Sequence, residues 1–159
     1  MKKILFLANY FYPDVASTGQ LLTDLCLNIK DKFDITVIAA IPNYSNELKL
    51  SDDLKNKKFF FEVVKGINVC RIVVPNVDKT SKLSRIKYIL KYFFNTKSAI
   101  NNIKDYDIIF TISQPPILGG LLGRYAKRIS SKAKLVYNIQ DFNPCLLYTS
   151  DAADEGLGV

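Results

Sequence analysis

Ser17, Thr18 and Gly19 are the first residues in this chain whose types and spacing suit a chemical task. They open a helical pattern directly after a loop that follows an apolar strand. Two hydroxyls, the N–H groups of a first turn and the positive end of a helix dipole favour an anion, above all a phosphate. A residue without a side chain at position 19 lets such a group approach the backbone. The same three residues would also serve as an ordinary N-cap with a tolerated glycine. Neither GxGxxG nor GxxxxGK[ST] occurs, so neither nicotinamide nor P-loop nucleotide binding is supported. More polar residues fall at later strand ends: Asn43 and Tyr44 after Pro42, Gln114 before Pro115, and Asp141 ahead of Pro144. Asp141 has the chemistry to orient a hydroxyl, or merely to cap its own loop.

What is missing narrows the chemistry. The chain has no His, and its three Cys (Cys26, Cys70, Cys145) form no CxxC pair. That removes His-based triads, His proton shuttles and ordinary zinc sites, so no metal is expected. Few, scattered cysteines suit a reducing, cytoplasmic compartment. After Met1-Lys2-Lys3 the apolar run stops at Asn9, too soon for a secretory signal, and reads as a buried first strand. No stretch approaches the ~18 apolar residues of a spanning helix.

The elements that position these residues alternate. Residues 4–8 and 35–40 are continuous apolar runs, as expected of strands buried on both faces. Between them Leu21, Leu22, Leu25, Cys26 and Ile29 recur at helical spacing, with Ser17 or Thr18 as N-cap. That is a βαβ unit with a right-handed crossover. Residues 59–64 and 67–74 read as two strands joined by a tight turn at Lys65-Gly66. A helix over 82–103, a strand over 107–112, a helix over 117–129 with Leu118, Leu121, Leu122 and Tyr125 inward, and a strand over 134–139 complete the pattern. The fold class is therefore α/β: a Rossmann-like, doubly wound, mostly parallel sheet.

With those elements in place, four segments resemble the family-4 glycosyltransferases of the GT-B fold. They are Asn9-Tyr10-Phe11-Tyr12-Pro13-Asp14 with Ser17-Thr18-Gly19-Gln20-Leu21-Leu22, then Ile41-Pro42-Asn43-Tyr44, then Ser113-Gln114-Pro115-Pro116, and finally residues 137–144. The nearest subset is similar to bacterial fucosaminyl-transferase-type enzymes of O-antigen and capsule assembly. The resemblance covers residues 1–144 and implies part of an N-terminal, acceptor-side domain. It implies a retaining enzyme that moves a sugar from a nucleotide-diphosphate donor to a glycan or lipid-linked acceptor in cell-surface polysaccharide synthesis. The nucleotide sugar is then a substrate, and no cofactor is implied. By the same analogy Ser17, Thr18 and Gly19 face the donor diphosphate, Asn43, Tyr44 and Gln114 line the acceptor side, and Asp141 is the catalytic candidate. Many members of the family carry a His near the last segment. Here Gln140 precedes Asp141, so no His-assisted step is available.

The stretch from Lys79 to Lys104 holds seven basic residues and no acidic one, with Leu83, Ile86, Ile89, Leu90, Phe93 and Phe94 between them at helical spacing. Lys82, Arg85, Lys87 and Lys91 would face an anionic membrane surface, at the inner face of the cytoplasmic membrane. Such a helix would also arise as a core-packing element with a solvated basic face. Nucleic acid is a third reading, supported by charge alone. The alternative to a transferase is a stand-alone basic Rossmann-like module that docks on anionic membrane or nucleic acid.

Residues 145–159 continue no period, and Cys145 to Glu155 resemble the translation of a sequencing-library transposase adapter over eleven consecutive positions. They are expected to be non-native, with the fold interrupted near Pro144, and the fragment is expected to be inactive alone. Without Asp151, Asp154 and Glu155 the formal charge rises from +7 to +10.

Overall fold

The computed structural model describes residues 1–42, 54, 56–76, 81–114 and 117–140. Within them the elements run β1 (Lys2–Leu7), α1 (Ser17–Ile29), β2 (Phe33–Ala40), β3 (Phe59–Val64), β4 (Ile67–Ile72), α2 (Lys82–Asn102), β5 (Ile108–Ile112), α3 (Leu118–Ile129) and β6 (Lys134–Asn138). The six strands form one sheet in the order β3-β4-β2-β1-β5-β6. All neighbours are parallel except β3, which pairs antiparallel with β4. Lys65 and Gly66 take positive φ values of 51° and 81°, the two-residue turn whose twist suits a hairpin. This is the doubly wound α/β sheet that the alternating pattern implies.

Alternate strand residues build two apolar layers. Leu5, Leu7, Ile38, Cys70, Ile72 and Ile109 pack under α2 and α3, against Tyr88, Tyr92, Ile100, Leu122 and Ala126. Ile4, Phe6, Ile35, Val37 and Val69 pack on the opposite face against Leu22 and Cys26 of α1 and Phe11 of the first loop. The central strands are buried on both faces, which is why they read as unbroken apolar runs. Strand β6 lies at the edge, with Leu135, Val136 and Tyr137 exposed.

Three expectations about the helices change. The N-cap of α1 is Ala16, with no side-chain cap, and Ser17 is the first helical residue. In α1 the buried face is Thr18, Gly19, Leu22, Thr23 and Cys26, leaving Leu21 and Leu25 exposed. In α3 the buried face is Gly119, Leu122, Gly123 and Ala126, and Leu121 faces out. The cause is close approach: an added Cβ at Gly119 would lie 1.9 Å from the Ile112 carbonyl oxygen, and one at Gly123 would lie 2.7 Å from Thr111 Cγ2. Small residues seat these helices beside Leu22 and Leu122, and Leu21, Leu25 and Leu121 are turned outward.

Candidate functional site

The strand order reverses at β1: the chain passes from β1 outward to β2, and later returns to add β5 on the other side. At such a reversal the loops after the two central strands diverge and leave a crevice at the carboxyl ends. The loop from β1 to α1 stands on one side, and Ser113 and Gln114 after β5, with the end of β6, stand on the other.

A run of hydrogen bonds joins the walls. The Thr18 hydroxyl donates to Gln140 Oε1 at 3.0 Å. The Gln140 N–H donates to Ser113 Oγ at 3.1 Å, and the Ser113 N–H donates to the Asn138 carbonyl at 3.1 Å. Beside them Gln114 holds a buried Oε1 with no partner among the described residues. Ser17 is exposed at the mouth, while Thr18 and Gly19 are buried. An added Cβ at Gly19 would sit 3.2 Å from Tyr10 Cβ and 3.4 Å from the Phe11 nitrogen. So Gly19 lets α1 pack closely under the first loop. On the far wall, Ile117 precedes α3 at φ 68°, a left-handed conformation that a β-branched residue seldom adopts.

The first loop is held from below. The Asn9 carbonyl accepts from the Ala40 N–H at 3.2 Å, and its Oδ1 accepts from the Tyr88 hydroxyl at 2.9 Å. The Tyr92 hydroxyl donates to the Ala8 carbonyl at 3.1 Å. Thr23 Oγ1 donates to the Gly19 carbonyl at 2.7 Å and accepts from the Tyr12 N–H at 3.2 Å. Arg71 is fully buried on β4; its Nε donates to Glu62 Oε1 at 2.5 Å, and another guanidinium nitrogen donates to the Tyr12 carbonyl. Asp14 is buried in the same loop, and desolvation raises its carboxyl pKa, partly offset by Arg71 and by the Val15 N–H.

Thr18 is thus brought to Gln140 and Ser113, with Gln114 next in the chain after Ser113 and Ser17 exposed beside Thr18. Asn43, Tyr44 and Asp141 lie outside the described residues. Lys82, Arg85, Lys87 and Lys91 are exposed along α2. Ser113, Gln140, Arg71 and Asn9 belong to the arrangement, although sequence reasoning gives them no role in it. Ser113 carries a signal, as a hydroxyl one residue past a strand end; a buried arginine on a strand carries none.

Burial pushes the thiols of Cys26 and Cys70 up to about 12, so both stay protonated near neutral pH. Among the described residues no three His, Cys, Asp or Glu side chains are grouped to hold a metal ion. Among them, too, no helix is long and apolar enough to cross a membrane.

No protein-family model matches the chain, and no curated protein matches it in sequence. Among solved structures, the catalytic domain of starch synthase IV from Arabidopsis thaliana, bound to ADP and acarbose, is similar with a TM-score of 0.62 at 14% identity. The match covers 89% of this chain and 34% of that one. In fold, the chain is similar to a glycosyltransferase domain of the GT-B type. It spans about a third of the starch synthase domain's length. The C-terminal domain of PF1911 hydrogenase from Pyrococcus furiosus is also similar, with a TM-score of 0.52 at 14% identity, covering 86% of this chain and 90% of that one. Two proteins with different names therefore share the architecture, and the choice between activities rests on the crevice.

Proposed function

We propose that the chain is the acceptor-side part of a retaining glycosyltransferase that takes its sugar from a nucleotide diphosphate. The observation that carries this reading lies at the strand-order reversal, where Thr18 in the uncapped first turn of α1 is hydrogen-bonded to Gln140, and Gln140 to Ser113. An uncapped helix start offers N–H groups and a positive dipole end to a diphosphate. The wall opposite offers hydroxyl and amide groups, the donors and acceptors that sugar hydroxyls match. The starch synthase domain of similar fold is one bound to ADP and acarbose, which supports nucleotide and sugar binding as the class of ligand. On this reading Ser17, Thr18 and the buried Gly19 form the diphosphate wall. Gln114, with Asn43, Tyr44 and Asp141, belongs to the acceptor side. On this reading the nucleotide sugar is a substrate, and the reaction calls for no cofactor.

The finer reading is a family-4 enzyme of cell-surface polysaccharide synthesis, acting on a lipid-linked acceptor at the inner face of the cytoplasmic membrane. A second α/β domain, continuing where residue 144 ends, would supply most donor contacts, and residues 145–159 would be foreign to it. The test is to recover the longer reading frame and assay sugar transfer from nucleotide-diphosphate sugars to lipid-linked glycans. Transfer that falls at least about tenfold in Thr18→Val and in Gln140→Ala is the expected result. A frame that closes near codon 144 without a second α/β domain, or full activity in both variants, would defeat the proposal.

A further inference from the structure

The helical periodicity of α2 leaves open which stripe meets the core, and the structure answers it. Tyr88, Tyr92, Asn95, Thr96, Ala99 and Ile100 face inward. Leu83, Ile86, Leu90 and Phe94 form a second stripe at three- and four-residue spacing, exposed by 78%, 53%, 52% and 61%. At 100° per residue this stripe lies on the side of the helix opposite the core. A core-packing helix with a merely solvated basic face does not have this form. Its outward side is apolar, and the cations flank it.

Lys87 and Lys91 run along one side of the stripe and Lys82 along the other, all exposed. Arg85, though exposed, falls on the far side of the helix from the stripe and takes no part in this surface. No acidic residue occurs anywhere in α2. Lys97 is different: its ammonium lies 4.6 Å from the centre of the Tyr125 ring and 5.5 Å from that of Phe93, so it is occupied within the fold. The apolar stripe of about three turns is too narrow for a spanning helix and suits one that lies in the headgroup region.

From this the geometry points to a docking surface for an anionic lipid bilayer, with the Leu83–Ile86–Leu90–Phe94 stripe sunk among acyl chains and Lys82, Lys87 and Lys91 at the phosphates. Charge complementarity selects the occupant: a second copy would bring cations against cations, and a nucleic acid would leave the apolar stripe unused. The Tyr88 and Tyr92 hydroxyls reach Asn9 and Ala8 at the end of β1, so the lysine-bearing half of α2 borders the crevice. A lipid-linked acceptor standing in that bilayer would present its headgroup to the strand ends. The inference rests on the membrane-acceptor part of the proposed function and identifies the surface that part requires.

The chain contains no Trp, so Phe94→Trp is a clean reporter, and Leu21→Trp on α1 is its control. Titration with phosphatidylglycerol–phosphatidylcholine vesicles is expected to blue-shift the Phe94→Trp emission and not that of Leu21→Trp. Pure phosphatidylcholine should give little shift, and added salt should reverse the effect. In the chain without a Trp reporter, Leu90→Ser with Phe94→Ser, and separately Lys87→Glu with Lys91→Glu, should each weaken co-sedimentation by about tenfold or more while helix content is kept. Vesicle binding undiminished in both double variants would overturn this surface and leave the lipid-linked acceptor standing. No binding to any vesicle would overturn both, with sugar transfer still judged by its own assay. A lipid-free dimer that buries the Phe94→Trp indole, or duplex DNA binding insensitive to the Leu90 and Phe94 changes, would also overturn it.

Discussion

Arg71 is the side chain on which the first loop depends. Its guanidinium is fully buried, yet it bonds Glu62 and the Tyr12 carbonyl and lies near Asp14, so it ties β4 and β3 to the loop that forms one wall of the crevice. Arg71→Met removes these bonds and leaves Glu62 and the Tyr12 carbonyl without their donor, so we expect a loss of about 3–5 kcal/mol in urea unfolding. A loss below about 0.5 kcal/mol, the range of an ordinary surface change, would show that the loop is held by other contacts. Asp14 gives a pH signature. Its carboxyl pKa is raised on folding, so the folded chain holds that proton more tightly than the unfolded chain does. The stability it contributes is complete below the ordinary carboxylate pKa and is lost as pH rises through the raised value. Asp14→Asn should therefore flatten this part of the stability profile and raise the urea midpoint at neutral pH relative to acid. An unchanged profile would contradict the burial of this carboxyl. None of this is visible in sequence, where Arg71 is one basic residue in an apolar strand and only its position facing α1's side of the sheet gives it a role.

At the scale of elements, each strand and helix could be located by apolar runs and period, while the faces of the helices could not. Both stripes of α2 recur at helical spacing, so period alone cannot choose between the inward Tyr88 and Tyr92 and the outward Leu83, Ile86 and Leu90. In α1 and α3 the large residues suggest the inward face, and Leu22, Cys26 and Leu122 do lie on it, but close packing fills the rest with Gly19, Gly119, Gly123 and Ala126 and leaves Leu21, Leu25 and Leu121 outside. The glycines of α3 allow a graded test. Gly123→Ala meets side-chain atoms of Thr111 and Leu135, which can shift, and the gain in helix propensity offsets part of the clash. Gly119→Ala meets the Ile112 carbonyl oxygen, which is backbone. We expect Gly123→Ala to cost about 1–3 kcal/mol and Gly119→Ala to cost more, read from urea midpoints. Equal, small losses would mean that α3 sits farther from β5 than the structure has it.

For the whole molecule, the order of the sheet decides where chemistry is available. The alternation of strands and helices makes the doubly wound form legible, and with it the rule that ligands meet the carboxyl ends. It does not reveal that the Gln140 backbone would close on Ser113 or that Thr18 would reach Gln140, because those contacts join residues far apart in sequence. Nor does it choose a reaction, since the same architecture serves a starch synthase domain and a hydrogenase domain. The proposed function rests that choice on the crevice, which can be probed directly. Titrating the isotopically labelled chain with nucleotide-diphosphate sugars, and following its amide signals, tests the central claim. We expect shifts concentrated at Ser17, Thr18, Gly19, Ser113 and Gln140, reduced in Thr18→Val. Shifts centred elsewhere on the chain would contradict a donor-facing crevice.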